Sequence, residues 1–179
     1  GSALASDIIW REIELTKKHK PVVVSMGNVA ASGGYYISCN ADKIFAEPTT
    51  ITGSIGVFGA LPNFRGFVNN MGIHSDVVST HENSLEYSVF QPMNETTKNV
   101  ITESIENIYD VFLTRVADGR GMTKEQVNEV AQGRVWTGTD AKRLGLVDEI
   151  GGLEDAIAYA AELGETEKYS LENFPVFKK

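Results

Sequence analysis

The sequence predicts an α/β fold, and three observations carry that prediction. Short β-branched apolar runs such as Pro21-Val22-Val23-Val24-Ser25-Met26 and Lys43-Ile44-Phe45-Ala46 have the length and composition of buried strands. Segments with apolar residues three and four apart separate them, most clearly Ile101, Ile105, Ile108, Phe112 and Val116. Strands alternating with helices imply a helix-covered sheet. Finally, 179 residues, 42% of them hydrophobic, suffice for one domain with a sizeable core. With no repeat or linker in view, residues 1–179 read as a single domain whose tail frays from about Phe174.

Taken in order, Leu4, Ile8, Ile9 and Ile13 share one face of an amphipathic helix from about Ala3 to His19, which Lys20-Pro21 ends. The strand Pro21 to Met26 follows, then a small glycine-bearing turn, then a short helix from Tyr35 to Asn40. Lys43 to Ala46 is a second strand, broken by Glu47-Pro48. Thr50 to Gly59 alternates β-branched residues with glycine, which suits a strand approached closely by another chain or a ligand, or a packing strand with bulges. Leu61 to Met71 can form a helix or helical turn, Ile73 to Val78 a strand, and Ser79 to Met93 a long polar loop. The long helix through Ile101 to Val116 runs up to Gly119. Thr123-Lys124-Glu125-Gln126 is a capping box that opens a short helix, stopped near Gly133. Thr137-Gly138-Thr139-Asp140 starts another, which ends at Gly145. Leu146 to Asp148 is a brief strand, and Leu153 to Leu163 a final helix followed by Gly164.

Composition narrows the function classes. The net charge of −8 is spread along the chain, and no Lys/Arg cluster lies beside aromatics, which argues against nucleic acid. The uncharged stretch from Pro21 to Ala41 is about as long as a membrane span, but its proline, glycines, serines and asparagines suit strand, turn and helix in a soluble core. No signal peptide is visible, and Gly1-Ser2 reads as a cloning scar or as a start inside a larger domain. The single cysteine, Cys39, reads as a small core residue. No Cys/His pair has metal-ligand spacing, and no cofactor is indicated.

Ser32 lies where a strand turns into a helix. A helix start leaves backbone N–H groups unpaired and carries partial positive charge, as an oxyanion formed at an attacked carbonyl requires. Ser32 is therefore a candidate nucleophile. The plainer reading is a tight turn whose serine caps the helix. A serine nucleophile needs a base. His19 ends a charged helix, His74 sits on the Ile73 strand and His81 in the polar loop; none is spaced with an aspartate, and Gly-x-Ser-x-Gly is absent. A lysine base works when burial keeps it uncharged. Lys43 follows Ser32 closely but fits a strand edge, and no lysine in the chain is a convincing base.

Four stretches in matching order and separation carry a family resemblance: Ala30-Ala31-Ser32-Gly33-Gly34-Tyr35-Tyr36-Ile37-Ser38; Ala41-Asp42-Lys43-Ile44; Pro48-Thr49-Thr50-Ile51-Thr52-Gly53-Ser54-Ile55-Gly56-Val57; and Val135-Trp136-Thr137-Gly138-Thr139-Asp140-Ala141 with Gly145-Leu146-Val147-Asp148. Together they resemble signal peptide peptidase A, also called protease IV, over nearly the whole chain. The resemblance implies a crotonase/Clp-protease-like spiral of ββα units and a serine/lysine dyad. Ser32 matches the nucleophile, Gly33 an oxyanion-hole N–H donor, and Ser54 a hydroxyl that helps orient the lysine. Short family members carry that lysine in a Gly-x-Tyr-Lys-like segment after a strand like Ile73 to Val78. Here the comparable stretch, Ser79 to Leu85, has none.

The chain therefore resembles the C-terminal half of a double-length member whose N-terminal half donates the lysine. The family's Ser-Pro-Gly-Gly turn would lie immediately before Gly1. The resemblance implies a serine endopeptidase module that degrades cleaved signal peptides on the outer face of the bacterial inner membrane. Its partners would be hydrophobic peptides, the lysine-bearing half and further copies in a homo-oligomer, with no cofactor; the isolated chain would be inactive. Two alternatives stand beside it. One is a non-catalytic scaffold half; the other is a crotonase-type acyl-CoA enzyme on the same spiral fold.

Overall fold

The computed structural model describes residues 1–81 and 87–175. Glu82 to Leu85, within the stretch compared with the lysine-bearing segment, lie outside the described residues, as does the tail after Pro175. In chain order the elements are α1 (Ala3–Lys17), β1 (Val23–Met26), β2 (Val29–Ala31), α2 (Gly33–Ser38), β3 (Lys43–Ala46), β4 (Ile51–Gly53), α3 (Arg65–Asn70), α4 (Glu95–Arg120), α5 (Lys124–Val130), β5 (Val135–Thr137), α6 (Gly138–Arg143), β6 (Glu149–Ile150) and α7 (Leu153–Leu163).

Two three-stranded sheets result. In one, β3 lies between β1 and β6, all parallel, with Val24 opposite Ile44 and Ala46 opposite Ile150. In the other, β4 lies between β2, which runs parallel to it, and β5, which runs antiparallel. Parallel neighbours require crossovers, and α2 supplies the helix between β2 and β3, so the architecture is α/β as the sequence predicts. Contacts group the chain into two compact units, Gly1–Gly56 with Phe112–Lys179, and Val57–Val111. The first holds the core: Tyr35, Ile44, Ile55, Val116, Val127 and Leu146 are fully buried. In the second, the Phe64 N–H donates to the Val89 carbonyl at 2.7 Å and the Asn63 amide to the Gln91 carbonyl at 2.7 Å.

Several sequence expectations are corrected. Ile73 to Val78 is not a strand: Ser75 is held by the Gln91 side chain at 3.1 and 3.0 Å, with no ladder to pair it, and Ile73 and Val78 are exposed. The strand expected over Thr50 to Gly59 ends at Gly53, where φ turns positive at +76°. The turn expected after Met26 holds a short strand of its own, β2. The last strand is Glu149–Ile150, just beyond the expected Leu146 to Asp148. Helix α4 passes through Gly119 to Arg120. A Cβ there would overlap the Cys39 carbonyl oxygen, so this glycine permits close approach to the end of α2 rather than stopping the helix.

The largest correction is the orientation of α1. Of the expected apolar face, Leu4, Ile8 and Ile9 are exposed while Ile13 is half-buried, and polar side chains share the inward face with Trp10 and Ile13. Asp7 accepts from the Tyr36 hydroxyl at 2.7 Å, Glu14 accepts from the Asn40 amide at 2.8 Å, and the Lys17 ammonium donates to the Asn40 carbonyl. The end of α2 presents carbonyls and an amide, and buried polar groups of this kind require hydrogen-bonding partners more than apolar contact.

Candidate active site

The site begins with the register of β2 and β4. Ala31 lies opposite Gly53 on parallel strands, and the next residues are Ser32 and Ser54. The Ser32 N–H donates to the Gly53 carbonyl at 2.9 Å. Neighbouring strands lie about 4.8 Å apart, so two serines 22 positions apart in sequence leave the sheet as neighbours. Both leave the strand conformation with positive φ, +53° at Ser32 and +50° at Ser54. Non-glycine residues in this region cost on the order of 1–3 kcal/mol each and cluster at active sites and ligand clamps.

Ser32 occupies the N-cap position of α2, but its hydroxyl makes no capping hydrogen bond. The plainer reading of Ser32 as a helix cap therefore does not describe this geometry. The Ser32 carbonyl accepts from the Tyr36 N–H at 2.8 Å, which winds the turn directly into α2. In a helix the first N–H groups, here those of Gly33 and Gly34, have no intrahelical acceptor. A side chain at Gly33 would require the Ser6 hydroxyl to give way. A Cβ on it would lie 2.7 Å from Ser6 Oγ on α1 and 3.7 Å from the Cα of Gly1.

Two tyrosines pin α2 behind this turn. Tyr35 is fully buried and its hydroxyl donates to the Leu146 carbonyl at 2.9 Å. Burial pushes that phenol far above its ordinary range. The Tyr36 hydroxyl donates to Asp7, and burial, reinforced by that hydrogen bond, pushes it up to about 12. Both are neutral donors at physiological pH. Asp7 is shared with Arg115 at 3.3 Å, and the Arg115 guanidinium lies 3.7 Å over the Trp10 ring.

The motifs of the C-terminal region converge on the Ser54 side. Ser54 N–H donates to the Arg134 carbonyl at 2.7 Å, and Gly133 N–H to the Ile55 carbonyl at 2.8 Å. Trp136 packs against Gly53, where a Cβ would lie 2.8 Å from its Cδ1, and its indole N–H donates to the Val130 carbonyl at 2.9 Å. Thr137 caps α6 through the Asp140 N–H at 3.1 Å. A Cβ on Gly138 would overlap the Glu47 carbonyl oxygen. These residues shape the turns that carry Ser32 and Ser54.

The candidate bases Lys43, His74 and His81 are each engaged by other side chains. Lys43 pairs with Glu149 at 3.5 Å and sits 5.3 Å from the Tyr159 ring centroid. Lys17 pairs with Asp42, and Lys142 with Glu149. His74 contacts Asn69, and His81 contacts Thr80. Among the described residues no group of three His, Cys, Asp or Glu side chains is placed to hold a metal ion. A groove of about 350 Å³ between the end of α1, β1 and α7 is lined by Val22, Val23, Leu153 and Ile157, and includes none of Ser32, Gly33 or Ser54. The structure places Ser32 with Gly33, and Ser54, at the ends of the adjacent strands β2 and β4; Ser6 and the Asp7–Tyr36 hydrogen bond beside them were not singled out from the sequence, because nothing in α1 itself announces which face turns toward α2.

Residues 14–167 match the profile of peptidase family S49. Over 178 residues the chain is 46% identical to Protease 4 of Haemophilus influenzae, covering 98% of this chain and 29% of that protein. It is 42% identical to the chloroplastic serine protease SPPA of Arabidopsis thaliana, covering 90% of this chain and 24% of that one. The chain thus spans less than a third of these relatives. Among solved structures, a ClpP1 mutant from Listeria monocytogenes superposes with a TM-score of 0.54 at 20% identity, over 88% of this chain and 71% of that one. The Clp-protease-like α/β fold expected from the sequence is the fold found.

Proposed function

The chain belongs to peptidase family S49, and from that premise we propose that it is the serine-bearing module of a Ser/Lys endopeptidase that degrades cleaved signal peptides. One observation supports this most: parallel register sets Ser32 and Ser54 side by side, both with positive φ, with Gly33 directly after the first. In the complete protein an uncharged lysine from the N-terminal half would take the Ser32 proton. Ser32 Oγ then attacks the peptide carbonyl, and the Gly33 N–H stabilises the tetrahedral oxyanion. The amine leaves with a proton from the lysine, and water, activated by the same lysine, hydrolyses the acyl-enzyme. Ser54 holds the lysine in orientation.

One feature favours the split arrangement. Gly1 lies beside Gly33, where a preceding Ser-Pro-Gly-Gly turn could add a second oxyanion donor. Extended substrate would pair with the chain edge near Ile55 to Phe58. The whole protein would act as a homo-oligomer at the outer face of the bacterial inner membrane. No described helix of this chain is long and apolar enough to cross a membrane.

The test is Ser32→Ala in the full-length protein, assayed on a fluorogenic apolar peptide. Loss of cleavage to background is expected, with the isolated 179-residue chain inactive as well. Unchanged cleavage would overturn the nucleophile assignment and leave the scaffold reading; saturable binding of coenzyme A would favour the acyl-CoA reading instead.

A further inference from the structure

We propose that Ser6 is a positioning residue for the Ser32–Gly33 turn, an inference that rests on reading Ser32 as nucleophile and Gly33 as oxyanion donor. Ser6 is the buried residue of α1, 7% exposed on a helix otherwise open or half-open to solvent. Its hydroxyl donates to the Ser2 carbonyl at 3.0 Å, and its N–H donates to the same oxygen at 3.0 Å. A helix serine commonly returns its hydroxyl to the carbonyl four residues back. Here that bond does more, because of what lies on the other side of the oxygen.

Ser6 Oγ sits 2.7 Å from the position a Cβ on Gly33 would take. The hydroxyl therefore fills the space left by the missing side chain of Gly33. Its proton is donated to the Ser2 carbonyl, while its oxygen stands against the side of Gly33 where a side chain would project, and Gly1 itself comes alongside Gly33. Ser2 adds to the same anchoring by accepting from the Ala5 N–H at 3.3 Å. One small hydroxyl thus sets the separation between the first turn of α1 and the turn that carries the nucleophile. Without it, a gap the size of one oxygen opens beside Gly33, and its N–H is free to drift from the oxyanion.

The experiment uses the full-length protein with Ser6→Ala, Gly33→Ala, the double variant and Ser32→Ala, measuring kcat and KM on an apolar fluorogenic peptide and normalising to folded protein by circular dichroism. Ser6→Ala is expected to lower kcat about tenfold or more with KM within about twofold, since displacements near 1 Å can cost ~10²-fold. Gly33→Ala alone places its methyl against Ser6 Oγ and is expected to be impaired. The double variant puts that methyl into the space of the lost hydroxyl and should recover kcat above either single variant.

If Ser6→Ala keeps kcat within about twofold while Ser32→Ala is inactive, the positioning role is wrong and the nucleophile assignment stands. If Ser32→Ala still cleaves, the nucleophile assignment fails and this inference falls with it. Should Ser6→Ala not fold, the comparison of Gly33→Ala with the double variant decides, and equal impairment of the two overturns the proposal.

Discussion

Replacing Gly119 by alanine sets two physical rules against each other. In a helix interior Gly→Ala ordinarily stabilises by about 1 kcal/mol, because alanine loses less backbone freedom on folding. At Gly119 the new Cβ would overlap the Cys39 carbonyl oxygen and lie 2.8 Å from the Cys39 carbonyl carbon and 2.9 Å from the Asn40 Cα. Ordinary contact starts near 3.4 Å, so both carbons must retreat by roughly half an ångström and the oxygen further. These are backbone atoms, so no rotamer change relieves the clash. Overpacking of this kind costs ~1–3 kcal/mol, and with rigid neighbours on both sides the upper end applies. After subtracting the propensity gain, Gly119→Ala should destabilise by about 2 kcal/mol, or ~4–8 °C in Tm.

Thermal and urea unfolding of the 179-residue chain measure this directly. Gly66→Ala is the control: it lies in α3, a Cβ there meets nothing within 4 Å, and propensity alone should leave stability unchanged or slightly raised. A Gly119→Ala protein as stable as the parent, or more so, would refute the claim that α4 and the end of α2 are in backbone contact. Because Cys39 directly follows α2, the same shift should reach the Ser32 turn at its other end.

The Arg120–Asp148 pair and the single cysteine give two more tests. Burial draws the Asp148 carboxyl upward, but the hydrogen bonds and charge of Arg120, with the Ile44 N–H, outweigh it and hold the group below the ordinary carboxylate range. A carboxyl depressed in the folded state stabilises above its unfolded pKa and loses that contribution as pH falls through the folded value. Asp148→Asn should therefore cost about 2–3 kcal/mol near pH 7, discounted for partial exposure, and the gap from wild type in urea titrations should close below about pH 4; a gap that widens on acidification contradicts the assignment. Cys39 is fully buried and burial pushes its thiol up to about 12, so a disulfide reagent at pH 8 should label it only in denaturant. Rapid labelling of the native chain would show the α2 contact to be open.

By itself the sequence determined those features whose cause is local. The capping box at Thr123 is read from four residues and forms as written, with Thr123 N–H donating to Gln126 Oε1 at 2.9 Å and Gln126 N–H to Thr123 Oγ1 at 3.2 Å. Strands β1 and β3, the amphipathic α7 and the glycine motifs were legible for the same reason, since β-branched composition and apolar spacing act within a few residues. The family resemblance singles out Ser32, Gly33 and Ser54 as one candidate site, without saying how they meet.

What the tertiary structure alone decided involves partners far apart in the chain. The Ala31–Gly53 register makes neighbours of Ser32 and Ser54, and Ser6 on another helix occupies the space a side chain at position 33 would need. The apolar stripe of α1 predicts which face is buried, yet Leu4, Ile8 and Ile9 stay exposed while Asp7 and Glu14 turn inward with Trp10 and Ile13, because the end of α2 needs hydrogen-bond partners. Gly119 looked like a helix stop and is a backbone contact instead. Ile73 to Val78 has the composition of a strand but pairs with no strand among the described residues. Periodicity states which residues can be buried together; only the packed neighbours determine which face is buried, and against what.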